Sequence, residues 1–124
     1  DGRLLTLFGC GGNRDAQKRA AMGEVTARMA DLAVLTSDNP RNESPESIAD
    51  QVMVGYASVR DEGCLVELDR ARAIEEIIRM AQPGDIVLIA GKGHETYQEF
   101  KNTVVPFDDR VHAREALETL GYTD

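Results

Sequence analysis

Cysteine and histidine are scarce in this sequence, two of each in 124 residues. Cys10 and Cys64 lie far apart in no metal-type spacing, and His94 and His112 do not combine with them as ligands. Two reduced thiols are the reading that follows. Cys10, in a glycine loop, is expected to be partly exposed and modifiable, although a loop position alone does not make a nucleophile. No apolar stretch approaches the ~20 residues that a membrane helix needs, so no span is expected. Basic residues are outnumbered, 14 Lys and Arg against 22 Asp and Glu, for a net charge of −8 and a pI of about 4.7. That balance argues against nucleic acid as the main partner, because phosphate binding needs a basic face. The opening Asp1-Gly2-Arg3 has neither a basic n-region nor an apolar h-region. Repeats, low-complexity tracts and linkers are also missing, and the acidic residues between Asp61 and Glu76 read as solvated surface.

What is present describes one compact domain, with 42% hydrophobic and 29% charged residues. A first strand covers residues 3–8. Lys18 to Ala30 carries Met22, Val25 and Met29 at helical spacing, which predicts an amphipathic helix with these residues on its apolar face. A strand over 32–36 follows, then a polar loop. Ser44-Pro45 supplies an N-cap hydroxyl and a proline at the first helical position, starting a helix to about Ala57 that buries Ile48, Val52 and Tyr56. Cys64 to Leu68 is a short strand. Asp69 caps a helix striped by Ile74, Ile77, Ile78 and Ala81, and Pro83-Gly84 stops it. Asp85 to Ile89 is the most hydrophobic strand and is expected at the centre of the sheet. Thr96 to Phe107 reads as a hairpin or edge ribbon, with Pro106 limiting its pairing. Asp108 or Asp109 caps a last helix carrying Ala113, Ala116, Leu117 and Leu120, closed by Gly121. Alternating strands and helices predict an α/β, Rossmann-like fold: a mainly parallel sheet with helices on both faces.

Three polar loops follow three apolar strands: Gly9 to Asp15, Thr36 to Pro45, and Ala90 to Glu95. Open α/β sheets bind ligands at the carboxyl ends of their strands, so one shared site is expected. Gly9-Cys10-Gly11-Gly12 lacks the G-x-G-x-x-G spacing, and turn-forming glycines with positive φ explain it as well as ligand binding does. Gly91-Lys92-Gly93-His94 is not a Walker A loop, for the upstream glycine and the Ser/Thr after lysine are missing. Taken singly, Glu95 reads as a solvated or capping carboxylate and Asp38-Asn39-Pro40 as an ordinary turn. Together, Arg14 and Arg41 offer positive forks, Glu95 a negative group, and Asp38 and Asn39 acceptors and an amide. Such a set suits a zwitterionic ligand bearing carboxylate and ammonium, such as the end of an amino acid. No nucleophile–base pair, metal cluster or phosphate cradle accompanies it, so the domain reads as a substrate gripper.

Four motifs occur in one order: Phe8-Gly9-Cys10-Gly11-Gly12-Asn13-Arg14-Asp15 with Lys18-Arg19; Ser37-Asp38-Asn39-Pro40-Arg41; Gly91-Lys92-Gly93-His94-Glu95-Thr96-Tyr97-Gln98; and Phe107-Asp108-Asp109-Arg110. In this the chain resembles the C-terminal domain of the Mur ligases, and within that family the branch that adds diaminopimelate. Asn13 stands where the family often has aspartate.

The resemblance implies an ATP-dependent amide ligase of bacterial peptidoglycan synthesis, acting in the cytoplasm. ATP phosphorylates the D-glutamyl carboxylate of UDP-N-acetylmuramoyl-L-alanyl-D-glutamate, and the incoming amine attacks the acyl phosphate. It implies further that Arg14, Asp38, Asn39, Pro40, Arg41, Gly91 and Glu95 hold meso-2,6-diaminopimelate, with Arg41 on its distal carboxylate and Glu95 on its distal ammonium. ATP and magnesium belong mainly to a central domain outside these 124 residues, on which this domain packs, and the UDP moiety belongs to an N-terminal one. A first strand–helix unit of the domain is expected ahead of Asp1, so the chain alone is expected to be inactive, with no catalytic residue of its own. The alternatives are a lysine-adding relative, which typically lacks the arginine at position 41, and a stand-alone, non-catalytic α/β binding module.

Overall fold

The computed structural model describes residues 2–12, 17–90, 95–100 and 103–121. Four strands, β1 (Leu4–Phe8), β2 (Leu32–Leu35), β3 (Cys64–Val66) and β4 (Ile86–Ile89), form a parallel sheet in the order β3-β2-β1-β4. Pairings such as Phe8 with Leu35 and Leu7 with Ile89 bring the strands' carboxyl ends to one edge. Because side chains alternate across a strand, the two faces of the sheet bury different residues. Phe8, Ala33 and Leu35 join Ile48, Val52 and Tyr56 on one face. Leu5, Leu7 and Val34 join Ile74, Ile77 and Ala116 on the other. Helices α1 (Gln17–Met29) and α2 (Pro45–Ala57) pack together on the first side, α3 (Arg70–Met80) and α4 (Asp109–Thr119) on the second. A mainly parallel sheet covered on both faces is therefore observed, as the alternation of elements predicts.

The capping chemistry also agrees with the sequence. Ser44 Oγ accepts from the Ser47 amide with Pro45 beginning α2, and Asp69 accepts from the amides of Ala71 and Arg72 at the start of α3. At α4 the cap is Asp108, which accepts from Arg110 N. Asp109 is left for another use. The segment after β4 forms an antiparallel ribbon of β5 (Tyr97–Phe100) and β6 (Thr103–Pro106), with Pro106 at its end opposite Tyr97.

Three expectations are corrected. β4 is an edge strand, not a central one; Ile86 is 67% exposed and Leu88 is exposed beside it. The central positions belong to β1 and β2, whose residues are the better buried. Beside β4, an apolar groove of about 380 Å³ is lined by Ile78, Pro83, Val87, Ile89, Ala113 and Leu117. The apolar stripe of α1 faces outward, with Met29 71% exposed and Met22 and Val25 exposed as well. The buried face is Arg19, Gly23 and Ala27 instead. The reason is the closeness of the two helices: a β-carbon at Gly55 of α2 would overlap the Ala20 carbonyl oxygen of α1. Small residues allow that approach, and methionines do not. On α4, only Ala116 of the expected apolar set is buried, while Leu117 and Leu120 are exposed.

Candidate functional site

At the carboxyl edge, strands hand over to loops that bond directly to one another. The chain leaves β1 beside β2, with Thr36 N donating to Phe8 O at 2.9 Å, and Ala90 N donates to Leu7 O at 2.9 Å. Gly12 N donates to Asn39 O at 2.6 Å, and a β-carbon at Gly12 would overlap the Pro40 carbonyl. Among the described residues positive φ at glycine occurs at Gly63, Gly84 and Gly121. Gly12 is thus required for close approach, not for the positive φ that a tight turn would use. The left-handed residue of the site is Arg41, with φ of 54°.

Arg41 is the hub of the 36–44 loop, and its side chain is largely enclosed. Its Nε donates to Glu99 Oε1 at 3.0 Å, and its Nη1 donates to Gly12 O at 2.9 Å and Asn39 O at 3.3 Å. Among the described residues Nη2 makes no hydrogen bond to protein. Backbone pairing locks the loop to the ribbon, since Arg41 N donates to Glu99 O at 3.0 Å. Asn39 is buried and bridges the same two segments: its Nδ2 donates to Glu95 Oε1 at 3.4 Å, and its Oδ1 accepts from Glu99 N at 2.8 Å. Gln98, also buried, donates to Asp38 O at 2.9 Å. Asp38, Asn39, Pro40, Arg41 and Glu95 therefore stand together at the carboxyl edge of the sheet. Arg14 and Gly91 lie outside the described residues.

Two buried guanidinium groups hold the loops from behind. Arg19 of α1 donates to both carboxylate oxygens of Glu43 at 2.8 and 3.0 Å, to Gln51 Oε1 at 3.1 Å and to Gly11 O at 3.1 Å. It thereby ties the loop after β1 to the loop after β2. Arg70 of α3 pairs with Asp109 of α4 and also reaches the carbonyls of Ser37 and Ala90. Both arginines escape simple sequence reasoning, which treats charge as surface. For Arg70 a signal existed: a cation in the first turn of a helix opposes the helix dipole, so its position needs another cause. Glu99 and Gln98 carried no such signal.

Cys10 is buried, contrary to the expectation of partial exposure, with its Sγ 3.4 Å from Met22 Sδ. Burial pushes its thiol pKa up, against the pull of the nearby Arg19 charge, so it is a poor nucleophile. Among the described residues no three His, Cys, Asp or Glu side chains are grouped to hold a metal ion. No helix among them is long and apolar enough to cross a membrane.

The family profile described as "Mur ligase, glutamate ligase domain" matches residues 1–93. The chain belongs to that family. Among curated proteins, it is 56% identical over 116 residues to the UDP-N-acetylmuramoyl-L-alanyl-D-glutamate–2,6-diaminopimelate ligase of Synechocystis sp., covering 94% of this chain and 23% of that protein. It is 52% identical over 120 residues to the ligase of the same name from Solibacter usitatus, covering 97% of this chain and 24% of the relative. A solved structure titled as a ligase of that name superposes with a TM-score of 0.91 at 41% identity, over 99% of this chain and 25% of the other. This Mur ligase chain thus spans about a quarter of the length of the relatives it matches. The superposition covers nearly all of the fold described above, so the parallel sheet flanked by helices is shared with that ligase.

Proposed function

We propose that this chain is the amino-acid-binding domain of an ATP-dependent ligase that joins meso-2,6-diaminopimelate to UDP-N-acetylmuramoyl-L-alanyl-D-glutamate in bacterial peptidoglycan synthesis. The observation that carries the reading is the convergence of Arg41 and Glu95, a cation and an anion from separate loops, linked through Asn39. Opposite charges held at a set spacing match a ligand end that bears a carboxylate and an ammonium. In this reading Arg41 receives the distal carboxylate, Glu95 receives the distal ammonium, and Arg14, Asp38, Asn39, Pro40 and Gly91 complete the grip. The names of the similar ligases support diaminopimelate over lysine, as does the arginine itself. Lysine, lacking a distal carboxylate, forgoes the charge-assisted hydrogen bond that Arg41 would add to its contacts with Glu99, Gly12 and Asn39.

Belonging to the Mur ligases implies use of ATP. ATP and magnesium are assigned mainly to the part of the ligase outside these residues. What this chain contributes is binding and orientation: it holds the amino acid so that the reacting amine meets the activated carboxylate. The setting is the bacterial cytoplasm, where the nucleotide-linked substrate and ATP are available.

Steady-state kinetics of the intact ligase test this. Arg41→Ala should lower kcat/KM for diaminopimelate at least tenfold, since a charge-assisted hydrogen bond contributes about 1.5–3 kcal/mol. Slow use of lysine should change little, because lysine never makes that contact. Glu95→Gln should impair both amino acids, which share the distal ammonium. Equal losses for the two amino acids in Arg41→Ala would show that Arg41 supports the loop and does not read the ligand.

A further inference from the structure

We propose that Arg70 and Asp109 are a positioning pair that sets the spacing of the two charged loops, and with it the affinity for the amino acid. This rests on the reading of the Arg41–Glu95 region as an amino-acid site. Arg70 is fully buried, and four donor contacts leave its guanidinium in fixed directions. Nε and Nη2 donate to the two oxygens of Asp109, each at 2.7 Å. Nη1 donates to Ser37 O at 2.9 Å, and Nη2 donates also to Ala90 O at 3.2 Å.

The two carbonyls are the important part. Ser37 immediately precedes Asp38, the start of the arginine-bearing turn. Ala90 directly follows β4, on the chain's way to Glu95. A single rigid group therefore fixes the origin of both loops, one from β2 and one from β4, although these strands are separated by β1 in the sheet. Asp109 fixes that group in turn. It lies in the first turn of α4, where a carboxylate is favoured by the helix dipole, and Asp108 performs the capping.

Stability alone does not account for such a pair. Burying two charges costs much of what their attraction returns, and apolar side chains of similar volume often serve as well. What an apolar pair cannot supply is directed hydrogen bonds to two loop carbonyls. Lysine cannot supply them either, being a point charge without the planar fork. A ligand gripped at two opposite charges needs a fixed distance between Arg41 and Glu95, and small misplacements of such groups are costly to the reaction.

The test uses the intact ligase, with separate KM values for diaminopimelate, ATP and the nucleotide-linked acceptor. Arg70→Lys and Asp109→Asn should each raise the amino-acid KM about tenfold or more, with the other two KM values within about twofold of wild type. Arg70→Met/Asp109→Leu should melt within a few degrees of wild type and still show the raised amino-acid KM. A merely structural pair would lower kcat and melting temperature without singling out one substrate. Wild-type amino-acid KM in the folded double variant, or equal increases for all three substrates, overturns the proposal. Arg41→Ala is measured alongside. If it raises the amino-acid KM and the Arg70 variants do not, the positioning pair fails alone. If Arg41→Ala leaves that KM unchanged, the amino-acid site itself is misassigned and the proposal falls with it.

Discussion

Arg41 and Glu99 form an ion pair across the junction of the 36–44 loop and the ribbon, with Nε 3.0 Å from Oε1. A carboxylate of the protein thus occupies part of the fork proposed to receive a carboxylate of the ligand. Glu99 is partly exposed, so its charge also meets an incoming dicarboxylic amino acid and repels it. Glu99→Gln keeps an oxygen to accept from Arg41 Nε while removing the charge. In the intact ligase this change should lower the KM for diaminopimelate a few-fold and lessen its dependence on salt, as screening of like charges predicts. A tenfold rise in that KM would show instead that the Glu99 charge is needed to orient Arg41.

Backbone proximity makes Gly12 and Gly55 intolerant of any side chain. A methyl group at either position would overlap a carbonyl oxygen of another segment, Pro40 for Gly12 and Ala20 for Gly55. Backbone cannot rotate away as a side chain can, so the segments must separate. Gly55→Ala should destabilise the domain by about 1–3 kcal/mol, the usual cost of overpacking, read as a lower urea midpoint at an unchanged slope. Gly12→Ala should cost less stability because the loop lies at the sheet edge, but it should displace the 36–44 turn and weaken amino-acid binding. A wild-type midpoint for Gly55→Ala would mean that the two helices do not touch as described.

Much of this architecture was legible in the sequence because it depends on local signals. Ser44-Pro45, Asp69 and Gly121 marked helix ends, and the spacing of Ile48, Val52 and Tyr56 placed the buried face of α2. The order of loop motifs grouped Asp38 to Arg41 with Glu95, and the fold brings these residues together. What was hidden depends on partners distant in the chain. Arg70 and Asp109 are 39 positions apart, and nothing local marks their pairing. Hydrophobic periodicity placed Met22, Val25 and Met29 inside, whereas the close approach of α1 and α2 selected the face with Gly23 and Ala27. For β4, hydrophobicity suggested the sheet centre, but strand order is set by crossovers and not by the apolar content of one strand.

Acid should loosen the junction between β1 and β4. Asp85 accepts from Arg3 through both side chain and backbone, and from the Gln82 amide, at 2.8–2.9 Å. The Arg3 guanidinium foremost, with the two amides, holds the Asp85 carboxyl well below the usual carboxylate range. A carboxyl depressed in the folded state contributes stability that is complete above its unfolded pKa of about 3.9 and declines as the pH falls below that. Asp85→Asn should therefore reduce stability at pH 7 and make the unfolding free energy less sensitive to pH below about 4. Urea titrations at pH 3 to 7 measure both, and parallel curves for the two proteins would disprove the linkage.

Neither thiol should behave as a reactive cysteine while the domain is folded. Burial pushes Cys64 up to about 11, only partly opposed by a backbone hydrogen bond near Leu35, and it raises Cys10 as well. At pH 8 a thiol of pKa about 11 is ionised in roughly one molecule in a thousand, against about one in four for an unperturbed cysteine of pKa about 8.5. Iodoacetamide should accordingly modify Cys64 at least a hundredfold more slowly in the native domain than in urea. Its native rate should climb about tenfold per pH unit between pH 8 and 10, since the thiolate is the attacking species. Cys10, less exposed still, should lag behind what its charge alone predicts because the reagent must also reach it. Peptide mass mapping of the alkylated sites follows the two separately. Rapid native labelling of Cys10 at pH 7 would show that the loop after β1 opens readily, contrary to its bonds with Arg19 and Asn39.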